Sequence, residues 1–357
     1  MRAITVRPGL AGSARLEEVP DPDPDDRTLL VRALALGVCG TDREIIAAQH
    51  GCAPEGEERL ILGHESLGVV ERAPPHSGFA PGDHVVGIVR RPDPVPCPAC
   101  AAGEWDMCRN GRYTERGIKS RHGYGSERFR LGPDYAVKVD PGLGLDAVLL
   151  EPTSIVAKAW AHADAIARRA RATAPRRLLV TGAGSIGLLA ALLGRQRGLD
   201  LHVFDRARRG PKVALTAKLG GTYHHGDLGT VLREVEPDIL MECTGAPAVI
   251  RDCLAQTGRN GIICLAGLSS AGHEEPLDIG FINRTMVLEN QVLFGAVNAN
   301  RMHYEAAAAA LKTADRRWLS GLITRRVPLS RWSEAVEKRP GDIKVVVEFT
   351  SDHAASH

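Results

Sequence analysis

The chain has 357 residues, more than one hydrophobic core usually serves, so two domains are expected. A hydrophobic content of 44%, a charged content of 25% and a formal net charge of +2 are ordinary for a globular protein and give no electrostatic case for nucleic acid as a partner. Residues 1–6 read as a strand rather than an export signal, and the longest apolar run, 188–193, is too short for a bilayer. We expect a cytoplasmic protein without a membrane span.

The first 150 residues have the texture of a β-rich domain. Short apolar runs alternate with Gly and Pro turns, as at 29–31, 68–70 and 84–87. Runs bounded in this way are typical of strands. The sequence therefore predicts a β-rich first domain.

Four side chains with metal-binding chemistry lie in this part of the chain. Cys39 lies within residues 37–42, His64 and Glu65 are adjacent, and Glu151 precedes a proline. Taken singly, such a cysteine is usually a packing residue and such a His-Glu pair a surface one. Together they supply a thiolate, an imidazole and carboxylates, a set that suits tetrahedral zinc with one position left open. The set predicts a catalytic zinc site.

From about residue 155 the pattern changes to alternating strands and helices. Strands are predicted at 178–180, 202–204, 239–241 and 262–264, with helical runs between them. This alternation is typical of a parallel sheet with crossover helices.

Residues 182–187, with the sequence GAGSIG, match the pattern G-x-G-x-x-G. The match follows a predicted strand and opens a helix, which is the context that dinucleotide binding requires. Gly182, Gly184 and Gly187 allow a tight turn and a close approach of the backbone to a pyrophosphate, whose charge the amides of Ser185 and Ile186 would meet at the helix start. The segment predicts a nicotinamide dinucleotide site.

Two neighbouring residues give opposite indications for the cofactor. Asp205 ends the next predicted strand, where a carboxylate usually binds the adenosine ribose hydroxyls, which favours NAD. Arg206 follows at once, and a guanidinium there could pair with the extra phosphate of NADP. The prediction is therefore NAD(P), with use of both cofactors.

The last part of the chain has an alanine-rich helix after Asn298 and then a strand at 344–349. That strand lies beyond the alternating region and needs a sheet to join. The predicted fold class is α/β, with a β-rich catalytic domain at 1–154, a doubly wound parallel sheet domain at 155–297, and a return segment at 298–357 that completes the catalytic domain.

Several segments together carry a family resemblance that extends over nearly the whole chain. They are residues 37–42, 58–65, 81–85, 113–118, 151–154 and 297–298. In these segments the sequence resembles the zinc-dependent medium-chain dehydrogenases, and within them the glucose 1-dehydrogenases of the archaeal and bacterial type. The resemblance implies a GroES-like catalytic domain and a Rossmann domain.

The resemblance also implies roles for particular residues. Cys39, His64 and Glu151 would be zinc ligands, and Glu65 would bind the metal directly or through a water during turnover. Thr41 would relay the proton. Glu115 and Asn298, with Glu151, would contact the sugar.

A second cluster of cysteines departs from the family pattern. Many relatives have four cysteines for a structural zinc, and Cys97, Cys100 and Cys108 match the last three, while Pro94 stands at the first position. Asp93 could replace the missing ligand. Because structural zinc sites normally have four ligands, a lobe held by packing is the alternative.

The function predicted from these features is zinc-dependent oxidation of an aldose, D-glucose to gluconolactone, with hydride transfer to NAD(P). Oxidation of another polyol or of an amino-sugar intermediate is the alternative, since pocket contacts select the substrate. A nicotinamide-binding sensor without catalysis and a zinc-free quinone reductase are disfavoured by the retained ligands. Relatives of this type assemble as dimers or tetramers, so a homo-oligomer is expected.

Overall fold

The structure, a computed structural model, describes residues 1–269, 272 and 274–349. The chain divides into two compact units, one made of Met1–Glu151 with Asn298–His357 and the other of Pro152–Val297. Residues 350–357 of the expected return segment lie outside the described residues. Across the described parts of the chain, no helix is both long enough and apolar enough to cross a membrane.

The first unit begins with short strands. They are β1 (Arg2–Val6), β2 (Arg15–Glu18), β3 (Leu29–Val38), β4 (Leu60–Ile61), β5 (Glu65–Arg72), β6 (His84–Gly87), β7 (Arg90–Arg91), β8 (Thr114–Arg116), β9 (Ser120–Arg121), β10 (Arg128–Leu131) and β11 (Ala136–Lys138). The helices among them are α1 (Gly40–Ile46) and α2 (Pro98–Ala101), and 3₁₀ turns lie at Trp105–Met107, Pro133–Tyr135 and Pro141–Leu149. The β-rich texture predicted for this region is present.

A long helix, α3 (Leu150–Ala167), leads into the second unit. There strands and helices alternate: β12 (Arg177–Thr181), α4 (Ser185–Gln196), β13 (Asp200–Phe204), α5 (Pro211–Lys218), β14 (Thr222–His224), α6 (Leu228–Val235), β15 (Ile239–Glu242), α7 (Pro247–Gln256), β16 (Ile262–Leu265), α8 (Ile279–Leu288) and β17 (Val292–Gly295). The six strands are parallel, in the order β14-β13-β12-β15-β16-β17. Counted from β12, this is the order 3-2-1-4-5-6 of the doubly wound dinucleotide-binding sheet.

The segment after Asn298 returns to the first unit. It contains α9 (Arg301–Thr313), α10 (Arg316–Leu322), β18 (Ile323–Pro328), a 3₁₀ turn at Leu329–Arg331, α11 (Trp332–Val336) and β19 (Lys344–Glu348). β19 pairs antiparallel with β3 and parallel with β18, so it lies inside the large sheet. The order of that sheet is β11-β6-β5-β3-β19-β18, and β10 also pairs with β3. The late strand therefore finds its hydrogen-bond partners in a sheet that the first 140 residues began.

The core of the first unit is formed by the apolar faces of this sheet. Val31, Val70, Phe129, Val345 and Val347 are each at most 3% exposed and come from four strands. Smaller three-stranded sheets, β2-β1-β4 and β7-β8-β9, lie in the same unit. The packed sheet fixes the positions of residues at the ends of its strands, as a site with defined geometry requires.

Candidate active site

Three of the predicted metal ligands meet where two neighbouring strands of the large sheet end and begin. Strand register pairs Gly37 of β3 with Glu65 of β5. Cys39 comes two residues after Gly37, and His64 comes directly before Glu65. The two residues therefore lie at the same end of the paired strands. One ligand atom from each of Cys39, His64 and Glu65 lies within 4.8 Å of the other two. The pairing of two strands thus assembles a thiol, an imidazole and a carboxylate.

Glu65 is held by a buried ion pair. Lys344, the first residue of β19, donates from Nζ to both carboxylate oxygens of Glu65, at 2.7 and 2.6 Å. The side chains are 3% and 2% exposed. Burial alone would lower the pKa of Lys344, but the Glu65 charge raises it. The carboxylate also lies against Gly37, where an added Cβ would collide with Oε2.

Asp42 lies behind His64. Its Oδ1 is 3.5 Å from His64 Nδ1, and within the described residues neither atom has a hydrogen-bond partner. Its Oδ2 accepts from the Cys39 amide at 2.8 Å, which ties the start of α1 to the cluster. Burial would lower the pKa of His64, but the Asp42 carboxylate raises it well above its ordinary value. Thr41 Oγ1 lies 3.9 Å from Cys39 Sγ, so the predicted relay hydroxyl lies beside the cluster.

Glu151, the fourth predicted ligand, is the second residue of α3 and is 6% exposed. It is not a member of the three-atom cluster, but the charges of His64 and Glu65 both act on it. Burial is the main cause that raises the pKa of Glu151 to about 7, and the Glu65 charge adds to it. The charge of this carboxyl group therefore depends on its burial and on the charges of His64 and Glu65.

The chemistry of these side chains fits a divalent metal. Three buried carboxyl groups, those of Asp42, Glu65 and Glu151, lie in the region of the Cys39 thiol. The charge of the buried Lys344 ammonium group acts on all three. A carboxylate at His64 Nδ1 is the usual partner of a metal-bound imidazole, because it orients the ring. Thiolate, imidazole and carboxylate are ligands that zinc accepts.

The two predicted sugar contacts, Glu115 and Asn298, touch each other. Asn298 Nδ2 donates to Glu115 Oε1 at 2.5 Å, and Arg90 donates to the same oxygen from Nε at 3.1 Å and Nη2 at 3.0 Å. Asn298 has a left-handed backbone, with φ of 61°, and its own Oδ1 accepts from the Ala299 amide at 2.9 Å. The structure thus brings together residues that lie 183 positions apart.

The glycine-rich turn joins β12 to α4 in the second unit. Gly182 has φ of 91°, which other residues rarely adopt, and an added Cβ at Gly187 would collide with the Gly182 carbonyl oxygen. Gly184 is the residue before α4 and is exposed, with open space where a Cβ would point. Ser185 and Ile186 form the first turn of the helix. The turn therefore exposes main-chain atoms at the start of a helix, as phosphate binding requires.

Asp205 follows β13 and is bound to this turn. Its Oδ2 accepts from the Ala183 amide at 2.8 Å and from Lys212 Nζ at 2.9 Å, and its Oδ1 accepts from the Ala207 amide at 3.0 Å. Burial would raise the pKa of Asp205, but these three donors lower it. Arg206 is exposed. The predicted acid is thus at the dinucleotide turn, with an ammonium group beside it.

The three cysteines of the other predicted metal site also meet. One Sγ each from Cys97, Cys100 and Cys108 lies within 4.8 Å of the others. The amide of Arg109 donates to Cys97 Sγ at 3.4 Å and is the main cause that lowers the pKa of Cys97 to about 6. Asp93 is not a member of this cluster, because its carboxylate accepts from the Val95 amide at 2.8 Å and from Arg112 Nε at 3.1 Å.

A doubly wound sheet with a glycine-rich turn, and a β-rich unit with a thiol, imidazole and carboxylate cluster, define a dehydrogenase of the alcohol dehydrogenase class. Residues 25–141 match the family model "Alcohol dehydrogenase GroES-like domain", and residues 145–349 match "Glucose dehydrogenase C-terminus". The chain belongs to the glucose dehydrogenase family. The predicted recognition, fold class and enzyme class are confirmed.

Relatives that match over nearly the whole chain are glucose 1-dehydrogenases. The glucose 1-dehydrogenase of Methanocella arvoryzae is 39% identical, with 98% of this chain and 99% of the relative covered. That of Thermoproteus tenax is 38% identical, with 98% and 99% covered. Among solved structures, the Haloferax mediterranei glucose dehydrogenase in complex with NADP, Zn and gluconolactone has a TM-score of 0.90 and 34% identity, with 98% and 100% covered.

Sequence reasoning did not identify three charged residues that the structure places beside the predicted ones. In the sequence, Lys344 is only the first residue of a predicted strand, and neither Arg90 nor Lys212 lies in a recognised motif. Each forms an ion pair with a carboxylate, namely that of Glu65, Glu115 and Asp205 respectively. No local pattern indicates these pairings, since 279 and 25 positions separate the first two pairs.

Proposed function

We propose that the protein oxidises an aldose, D-glucose to gluconolactone, with hydride transfer to NAD(P) at a zinc site. The observation that carries the proposal is the cluster of Cys39, His64 and Glu65 in a member of the glucose dehydrogenase family. A relative of similar fold is solved with NADP, Zn and gluconolactone, which supports the same ligands here.

Cys39, His64 and Glu151 are the proposed zinc ligands, with Glu65 as a ligand or as a group that acts through water. Bound zinc would supply a Lewis acid that lowers the pKa of the substrate hydroxyl. Oxidation removes a hydride from the carbon and a proton from its hydroxyl, and the hydride passes to the nicotinamide. Thr41, whose hydroxyl lies 3.9 Å from Cys39 Sγ, is the proposed first acceptor of the proton.

Glu115 and Asn298 are proposed to bind sugar hydroxyls, together with Glu151. Glu115 is 12% exposed, and its Oε1 already receives three hydrogen bonds. Within the described residues its Oε2 has no partner, so this oxygen is available to a hydroxyl. An analogue that lacks the hydroxyl would leave a desolvated acceptor unpaired, which is a strong source of discrimination.

Gly182, Gly184, Ser185, Ile186 and Gly187 are proposed to hold the pyrophosphate of the dinucleotide. The second unit, whose boundaries we propose at about 155 and 297, would be the dinucleotide-binding domain. Residues 1–154 and 298–357 would form the catalytic domain.

The cofactor preference is proposed to be dual. Asp205 would bind the ribose hydroxyls of NAD, and Arg206 would pair with the ribose phosphate of NADP. The ammonium group of Lys212, 2.9 Å from Asp205 Oδ2, reduces the repulsion that a lone carboxylate would exert on that phosphate.

A second zinc, bound by Cys97, Cys100 and Cys108, is also proposed. The thiol of Cys97, with its pKa near 6, is largely a thiolate at neutral pH, the form that binds metal. Metal content measured on the wild type and on Cys100→Ser would give about two zinc ions per chain against about one.

A homo-oligomer, a dimer or a tetramer, is the proposed assembly. Helix α8 exposes Ile279, Phe281, Val287 and Leu288 at 49–67%. So large an apolar surface on one helix is typical of an interface. Val287→Glu should lower the molar mass found by light scattering, and a monomeric wild type would contradict the proposal. We also propose the cytoplasm as its compartment, since all eight cysteines lie in the described residues and none of them forms a disulfide.

The test of the function is a screen of aldoses, polyols and amino sugars with NAD and NADP, followed by absorbance of the reduced nicotinamide. We expect turnover with glucose, its loss after zinc is chelated, and its recovery when zinc is returned. Turnover only with a polyol or an amino sugar would support the alternative dehydrogenase. Dinucleotide binding without turnover of any substrate would support a sensor.

A further inference from the structure

Arg90 connects the two side chains that are proposed to bind the sugar. It lies in β7 directly opposite Glu115 of β8 and is 6% exposed. Its Nε and Nη2 donate to Glu115 Oε1, the oxygen that also accepts from Asn298 Nδ2. Three donors therefore occupy one carboxylate oxygen. None of the described hydrogen bonds uses the other oxygen, Oε2, which keeps its capacity to accept.

The remaining nitrogen of the guanidinium acts on the segment that carries Asn298. Arg90 Nη1 donates to the main-chain oxygen of Asp106 at 3.1 Å, and the Asp106 Oδ1 accepts from Asn300 Nδ2 at 2.9 Å. Asn300 is the residue that caps α9 and stands two positions after Asn298. One guanidinium therefore restrains Glu115 directly and the Asn298 segment through Asp106.

The orientation of the guanidinium is itself restrained. Its Cζ lies over the Tyr113 ring, 3.7 Å from the ring centroid, a cation–π contact. The fork of Arg is needed here, because the donors to Glu115 and to Asp106 point in different directions from one planar group. A lysine ammonium could pair with Glu115 but could not stack and donate to both partners in this way.

We propose that Arg90 is a positioning residue for substrate recognition, one that presents Glu115 Oε2 and Asn298 to a sugar hydroxyl. The inference rests on the proposed function, since it assigns the sugar contacts to these two residues. In the described contacts, Arg90 does not touch the cluster of Cys39, His64 and Glu65. Its removal should therefore affect the choice of sugar more than the hydride step.

The test compares Arg90→Lys with the matched control Arg91→Lys. Arg91 is the other residue of β7 and is equally buried at 6%. It donates to the Ile88 carbonyl at 2.6 Å, and its Cζ lies over the Tyr135 ring, 4.0 Å from the centroid. Its described side-chain contacts do not include Glu115. Both variants lose a buried guanidinium, so a general loss of stability is common to both.

Steady-state kinetics would be measured with glucose and with each monodeoxy glucose, and Glu115→Gln would identify the deoxy sugar whose discrimination depends on Glu115. For that sugar we expect Arg90→Lys to lower discrimination about tenfold or more, mainly through the KM for glucose, because a buried acceptor is no longer held in place. Arg91→Lys should keep the wild-type discrimination.

A double-mutant cycle then separates positioning from a general effect. If Arg90 acts through Glu115, Arg90→Lys should cost little further discrimination in the Glu115→Gln background. Unchanged discrimination in a folded Arg90→Lys, or equal losses with and without Glu115, would overturn the inference. If Arg90→Lys does not fold, the same outcome is expected of Arg90→Gln. Failure of both variants to fold would show that Arg90 is required for folding, and would overturn the inference. A wild type that oxidises no aldose would refute the proposed function and not this step alone.

Discussion

The buried pair of Lys344 and Glu65 allows a sharp prediction about stability. Replacing Lys344 by Met keeps most of the side-chain volume and removes the charge. The Glu65 carboxylate, 1% exposed, would then lose both of its hydrogen bonds from Nζ. A buried charge without a partner is strongly destabilising.

The distances give the expected size of the effect. Two unit charges 2.6 Å apart attract by about 6 kcal/mol at an effective dielectric constant of about 20. Desolvation of the two groups offsets part of this, so loss of one partner should cost about 3–5 kcal/mol. In a unit of this size, the loss corresponds to a fall in Tm on the order of 10 °C.

The assay is urea unfolding of chelator-treated protein, followed by tryptophan fluorescence. Lys138→Met is the matched control: its Nζ lies 2.7 Å from Asp83 Oδ2, but the two side chains are 49% and 27% exposed. An exposed pair of that kind contributes less than about 1 kcal/mol. Glu65→Gln combined with Lys344→Met should cost less than the sum of the single changes, because the orphan charge is gone.

The pH dependence of the effect has a defined sign. Because the pKa of Lys344 is raised in the folded state, its contribution is complete below the unfolded pKa of about 10.4 and is lost as pH rises through the folded pKa. The difference between wild type and Lys344→Met should therefore shrink as pH rises above about 10. A loss below about 1 kcal/mol, or additive single changes, would refute the pair as described.

Three further predictions concern the cofactor, the metal and the edge of the parallel sheet. Cys39→Ser should abolish turnover and release zinc while leaving dinucleotide titrations nearly unchanged; full activity without zinc would remove the metal from the mechanism. Asp205→Ala should lower kcat/KM for NAD more than for NADP, and Arg206→Ala should do the reverse, whereas equal losses would mean that neither side chain faces the ribose. Burial, and then the charge of His202, lowers the pKa of His224. Unfolding free energy should therefore fall as pH drops through about 6.5, less steeply in His224→Gln, and parallel curves would contradict this.

The sequence by itself was enough for the features that depend on neighbours along the chain. The glycine-rich turn between β12 and α4 can be predicted because its glycines are needed locally. Gly182 has a left-handed backbone, and Gly187 packs against the Gly182 carbonyl oxygen, where a Cβ would collide. The doubly wound region follows from alternating strand and helix patterns. Family membership could also be recognised, because its motifs are short and contiguous, and the comparisons confirm it.

The tertiary structure decided which charged groups lie against those motifs. Cys39 and His64 could be proposed together from the chemistry of zinc ligands and from the family resemblance, but the register of β3 and β5 is what brings them together. Lys344 reaches Glu65 from a strand inserted on the other side of β3, and Arg90 reaches Glu115 across a two-residue ladder. These contacts depend on strand order and register. Both are set by the burial of apolar faces throughout a sheet, so no local pattern at Lys344 or Arg90 indicates them.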